Sequence, residues 1–307
     1  MTVSAIVPPA FALVFAPLLI GVTNRTKAVF AGRQGAPLLQ PYFDLVKLLG
    51  KGAVYSQTTT LVFRVGPMIG LAAVLTASLL MPFGGCRAPL AFGGDLILFV
   101  YLMGLARLFT VLAALDTGSS FEGMGASREV LFSTLAEPAL LLALAAVGRE
   151  TKTLSLSQMH ELVPRLFWGH SSLILMLVAV VLFIVFLAEN SRIPIDDPNT
   201  HLELTMIHEV MVLDHCGPDF AFIIYGAALK LWLLGSLIVG LLLPTRTGLR
   251  LADLLLSLAA MAAVAVLLGV VESTLARFRM MRVPVFLVGA VVLATVALIL
   301  KYGGRLG

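Results

Sequence analysis

Arg107, Asp116, Glu129, Glu137, Glu189, Lys230 and Glu272 fall within or at the ends of long apolar runs of the chain. A charge at the centre of a membrane-spanning helix costs at least about 2.5 kcal/mol, so such side chains face one another or a hydrated cavity, not lipid. Glu129 and Glu137 are eight residues apart, close to two helical turns, which puts both carboxyls on one face. Carboxyls in file suit proton transfer, because burial brings a carboxyl toward neutral pKa and lets it take up and release protons. The competing expectation is pairing, for example of Glu137 with Arg107 or Lys230, which would only hold helices in register. Asp253 and Glu272, near the ends of runs, are expected to be solvated.

The densest polar stretch carries Glu189, Asp196, Asp197, Glu203, Glu209, Asp214 and Asp219. A connection that only set orientation in a membrane would be basic, so an acidic one points to chemistry or to a basic partner. His201, His208 and His215 recur every seven residues and would share a face if helical. Zinc ligands on a helix usually stand three or four apart, so titration in a proton path, or plain loop polarity, is the better reading of these histidines. The two cysteines, Cys86 and Cys216, lack the spacing of a zinc or iron–sulfur site. No metal ligand set is assigned to the chain, and any metal centre is expected in a partner.

The elements that must position these groups follow from composition. Of 307 residues, 59% are hydrophobic and 12% charged, about half the charged share of a soluble domain. Mean hydropathy is +1.01, more apolar than one soluble core can hide. An ordinary soluble enzyme is excluded, and the formal charge of +4 reads as membrane-loop Lys and Arg, not as nucleic-acid binding. Eight runs near the length of a spanning helix occur, at about 5–22, 61–82, 94–114, 130–148, 171–188, 221–243, 251–271 and 284–301. The fold class is an all-α integral membrane protein forming one membrane domain over 1–307. The first run lacks a basic front and is read as a retained span, not a signal peptide. Between runs, 23–60 forms a first cytoplasmic loop, 189–220 an acidic cytoplasmic loop, and 149–170 an exposed loop. Lys and Arg are more numerous in the odd-numbered loops, which places both termini outside. Within the first loop, Tyr42, Leu45, Val46 and Leu49 recur at helical spacing opposite Asp44, Lys47 and Lys51; this predicts a short interfacial amphipathic helix after the first span.

Three ordered stretches resemble the complex I subunit 1 family. The first is Arg33-Gln34-Gly35-Ala36-Pro37-Leu38-Leu39-Gln40 with Asp44 and Lys47. The second runs from Leu115-Asp116-Thr117-Gly118-Ser119-Ser120-Phe121 through Gly125-Ala126-Ser127-Arg128-Glu129 to Glu137-Pro138. The third is Glu189-Asn190-Ser191-Arg192-Ile193-Pro194-Ile195-Asp196-Asp197-Pro198, with Leu202-Glu203-Leu204 and Gly217. The shortness of the first motif and the wording of the second resemble the hydrogenase-4 and formate hydrogenlyase branch of that family.

The resemblance implies a membrane anchor of an energy-converting nickel–iron hydrogenase or formate-hydrogenlyase-like complex in a prokaryotic cytoplasmic membrane. It implies a proton route through Glu129, Glu137, Glu189, Asp196, Glu203, Glu209, Lys230 and Arg107, with His201 at a position where the family has a carboxylate. Arg33, Asp44, Lys47 and Arg192 would border the junction with a soluble arm. It further implies hydrogenase large and small iron–sulfur subunits and antiporter-like membrane subunits as partners. The nickel–iron centre and iron–sulfur clusters would sit in those partners, with none in this chain. Quinone use stays open, because the segment before Gly217 is longer than in quinone-reducing relatives. The rival readings are the corresponding membrane subunit of an NADH or ferredoxin quinone oxidoreductase, a stand-alone proton or cation transporter, and an inert anchor.

Overall fold

The computed structural model describes residues 5–167, 172–196, 206–243 and 249–303. Ten α-helices are formed among them: α1 (Val7–Phe30), α2 (Gln40–Leu49), α3 (Leu61–Ser78), α4 (Asp95–Asp116), α5 (Ser120–Thr151), α6 (Leu156–Phe167), α7 (Ser172–Glu189), α8 (Gly217–Leu242), α9 (Arg250–Thr274) and α10 (Val283–Gly303). Seven are long and apolar enough to cross a membrane, and α7 contributes the shorter apolar helix Leu173–Glu189. Each of the eight expected runs therefore coincides with a helix, as backbone hydrogen bonding in hydrocarbon requires.

Local chemistry sets several ends. Pro8 and Pro9 open α1, where a missing N–H costs nothing. The Asp116 carboxylate, at the end of α4, accepts from the backbone N–H groups of Thr60 (2.7 Å) and Phe63 (3.2 Å). It thereby caps α3 with a negative charge where the helix dipole favours one. Small residues admit close helix contacts, as is usual in membranes. A Cβ on Gly269 of α9 would lie 2.7 Å from Thr26 of α1, and one on Gly66 of α3 would lie 3.1 Å from Ala113 of α4. On the interior side, Phe11, Phe15, Phe83 and Trp232 form an aromatic cluster with centroid separations of 5.1–6.4 Å.

One expectation is corrected. The 149–170 segment is not a plain exposed loop: α6 buries Leu156, Met159 and Val163, one stripe of an amphipathic helix. Its N-terminus is capped by Asp95 of α4, which accepts from the Leu156 N–H (2.7 Å) and the Ser155 hydroxyl (2.9 Å). The expected amphipathic helix is α2, with Pro41, Tyr42, Leu45 and Leu48 turned inward and Phe43, Val46 and Leu49 exposed. The Tyr42 hydroxyl donates to the Val14 carbonyl of α1, which turns the helix to this register.

Candidate functional site: a buried ion-pair cluster

Helix α4 places Arg107 at the centre of three acids. Its Nη1 lies 2.5 Å from Glu137 Oε1 and its Nε 3.4 Å from Glu129 Oε1, both on α5. Its Nη2 meets both oxygens of Glu189 at the end of α7. Lys230 of α8 reaches the same carboxylate, with Nζ 2.8 Å from Oε2. Two cations thus face three acids in the interior, the Arg107 side chain being 8% and that of Glu189 4% exposed. The eight-residue spacing of Glu129 and Glu137 does bring both to one place, and the pairing of Glu137 is with Arg107. The contrast lies in access: the Glu137 side chain is 42% exposed at mid-helix, on the outer side of the cluster.

A cavity of about 120 Å3 adjoins the cluster, with Arg107, Glu129, Glu189, Arg192, His208 and Lys230 among its walls. That is room for several water molecules. The apolar part of its wall comes from Ile20 of α1, Leu71 and Val74 of α3, and Phe222 and Ile223 of α8. A smaller crevice of about 10 Å3 links Glu129 and Glu189 to Asp196 and Ile207.

Beyond the cavity, the chain after α7 is tied down by charge. Asp196 pairs with Arg277 (2.8 Å) and accepts the backbone N–H groups of Ile207 (3.2 Å) and His208 (3.1 Å). Glu272 is not solvated as its position near a run end suggested: its side chain is 0% exposed and sits between Lys27 of α1 (2.8 Å) and Arg192 (3.3 Å). Asp253 is likewise buried. Two cations from distant parts of the chain make the interior tolerable for the Glu272 carboxylate, since unpaired burial of a charge is prohibitive.

The remaining expected site residues are distributed as follows. Arg33, Asp44 and Lys47 are exposed around α2, with Asp44 Oδ1 accepting from the Gln40 amide at 2.8 Å. Arg192 instead pairs with the buried Glu272. Glu209 opens a short 3-10 turn, Glu209–Val212, and is not among the cavity-lining residues. His201, Asp197 and Glu203 lie outside the described residues.

His208 is a cavity group that the route drawn from sequence omits, although the seven-residue histidine repeat names it. Burial holds its imidazole below the ordinary pKa, opposed by Glu129 and Asp196 and reinforced by Lys230 and Arg192. Residues 206–216 do not form one continuous helix, so His208 and His215 do not share a helical face. Among the described residues, no three of His, Cys, Asp and Glu cluster so as to hold a metal ion.

An all-helical polytopic membrane protein with a compensated charge cluster in its interior is the class that this geometry defines. The chain belongs to the NADH dehydrogenase family, whose model matches residues 3–302. It is 30% identical to formate hydrogenlyase subunit 4 of Escherichia coli (strain K12) over 86% of this chain and 87% of that protein. It is also 30% identical to hydrogenase-4 component C of the same organism, over 91% and 89%. The same fold occurs in the membrane-bound sulfane sulfur reductase, an archaeal respiratory membrane complex, at a TM-score of 0.84 and 24% identity, covering 97% of this chain and 98% of that one.

Proposed function

We propose that this chain is the membrane anchor and proton-route subunit of an energy-converting nickel–iron hydrogenase or formate-hydrogenlyase-like complex. It carries no redox centre itself. Electrons move between nickel–iron and iron–sulfur centres of soluble partners, and the resulting charge changes bias proton occupancy along Asp196, His208, Glu129, Glu189 and Glu137.

One observation carries this reading. Titratable groups follow one another from Asp196, beside the loop end of α7, through a cavity that can hold water, to Glu137, whose carboxyl emerges at mid-helix on the outer surface of the chain. A charge at that depth is not left to lipid. A neighbouring membrane subunit is its natural cover, and an antiporter-like one would carry the proton onward. Arg107 and Lys230 act as counter-charges, so that adding or removing one proton changes the pairing pattern without stranding a bare charge. The family relationship to subunits named for hydrogenase-4 and formate hydrogenlyase supports the choice of partners. The expected subunits are a nickel–iron large subunit, an iron–sulfur small subunit and antiporter-like proteins, all in a prokaryotic cytoplasmic membrane.

The cavity between α1, α3 and α8 favours an alternative, a quinone-reducing subunit, because its apolar wall meets a polar floor. Gentle purification from the native membrane followed by mass spectrometry separates the two. A stoichiometric nickel–iron large subunit is the expected result; NADH dehydrogenase subunits carrying flavin would overturn it in favour of the quinone-reducing alternative.

A further inference from the structure

We propose that Glu122 is a further proton-carrying residue of this subunit, lying at the N-terminal end of the carboxyl file on α5; the inference rests on the proton-route reading above. Glu122 precedes Glu129 by seven residues and Glu137 by fifteen. At 100° per residue, seven residues return to within about 20° of the same face, some 10 Å further along the axis. Helix α5 therefore carries three acids in one file, of which Arg107 compensates only two.

The surroundings of Glu122 differ from those of its two companions. It is 1% exposed and forms no ion pair among the described residues. Oε1 accepts the Asp214 backbone N–H at 3.2 Å, while Oε2 is buried with no hydrogen-bond partner. The Thr117 side chain stands within hydrogen-bonding reach of the carboxyl, and the Asp214 carboxylate is its other polar neighbour. His215, the next residue along, is also buried, stacked on Phe63 at a centroid distance of 4.0 Å, with its Nδ1 unpartnered. Glu122 sits in the first turn of α5, where the helix dipole favours an acid, yet no cation offsets its burial among the described residues, and burying a carboxylate without one is costly. Proton carriage explains its burial without a cation.

Between Glu122 and Glu129 the file is interrupted. A Cβ on Gly125 would lie 2.3 Å from Val210, 2.8 Å from the Ile207 carbonyl oxygen and 3.0 Å from Met211, so the 207–211 segment presses directly on the helix backbone, with Val210 and Met211 as the plug. The segment bearing the plug hangs between two carboxyls of the route: Asp196 accepts the N–H groups of Ile207 and His208, and Glu122 accepts that of Asp214. When the plug yields to water, the proton leaves the Glu122 hydroxyl for that water, and a proton passes to a Glu129 oxygen. Glu122 remains as a carboxylate, and no oxidant or reductant is consumed.

The test uses the assembled complex purified from its native membrane, reconstituted in vesicles, with electron transfer and proton movement followed together. Glu122→Gln keeps the shape and a hydrogen-bonding oxygen but cannot release a proton. It is expected to lower proton movement roughly tenfold or more, the same loss expected of Glu137→Gln in that assay. Normal movement in Glu122→Gln beside a block in Glu137→Gln would overturn this inference alone. Normal movement in both would overturn the proton-route reading itself. If Glu122→Gln fails to assemble, Glu122→Asp decides: proton movement with a displaced pH profile supports carriage, and an unchanged profile contradicts it.

Discussion

Three acids converge on Arg107 because its planar guanidinium offers separate N–H vectors to each, which a lysine at the same position would not. The contacts are unequal in worth. Those to Glu189 and Glu129 are buried, whereas the one to Glu137 is discounted by the exposure of that carboxyl. Partners in such a cluster cannot be read from a single run of residues: Glu272 looked like a span-end acid because Lys27 and Arg192, which neutralise it, lie far away in sequence. The Glu129–Glu137 file, by contrast, was legible from spacing alone. Histidines give a prediction at this scale. Burial lowers the pKa of His160, His208 and His215. In the unfolded chain these imidazoles take up protons as pH falls through about 6.5, while the folded protein withholds them from protonation until lower pH. The unfolded state therefore binds more protons in that window, and stability falls on acidification. Thermal unfolding of the detergent-solubilised protein is expected to shift downward from pH 7.5 to 5.5, and less so in His160→Gln; a midpoint indifferent to pH would contradict it.

Helix α5 runs for 32 residues, about 48 Å, well beyond the hydrocarbon thickness of about 30 Å. Its start ten residues before the apolar run is what sets Glu122 and Glu129 inside the protein. Hydropathy marks only the stretch in contact with lipid or core, so this extension was not visible in the apolar pattern. Helix α6 was missed for a related reason: twelve residues with polar flanks carry no spanning signal, and its stripe is completed only by the cap from Asp95 across the fold. In α2, Phe43, Leu45, Val46, Leu48 and Leu49 put apolar residues around most of the helix, and the Tyr42 bond to α1 decides which of them turn inward. The Asp95 cap makes a measurable claim. Asp95→Ala removes both hydrogen bonds at the start of α6 and should cost about 0.5–2 kcal/mol. Hydrogen exchange should rise selectively over Leu156–Phe167; uniform exchange along the chain would show that the cap does not hold this helix.

Taken whole, the molecule sets its interior cations against acids, while Glu122 is left without a cation among the described residues. Arg107, Lys230, Lys27, Arg192 and Arg277 face Glu129, Glu137, Glu189, Glu272 and Asp196, and the belt of exposed Leu, Val and Ile along the spanning helices faces lipid or other subunits. The fold class and the eight apolar helices were readable from composition and run length, since lipid tolerates few alternatives. The Glu272 ion pairs and the packed course of 206–216 were not, because both depend on contacts between distant segments. Glu137 is the point where the ion-pair cluster meets the outer surface of the chain, and the account depends on it most. The deciding measurement is therefore made on the purified complex carrying Glu137→Gln, sealed in vesicles, with hydrogen turnover and internal pH recorded at once. Turnover that persists or slows while proton movement is lost, in a complex that retains all its subunits, is the predicted result. Wild-type proton movement per electron in that same complex would contradict a route through this chain.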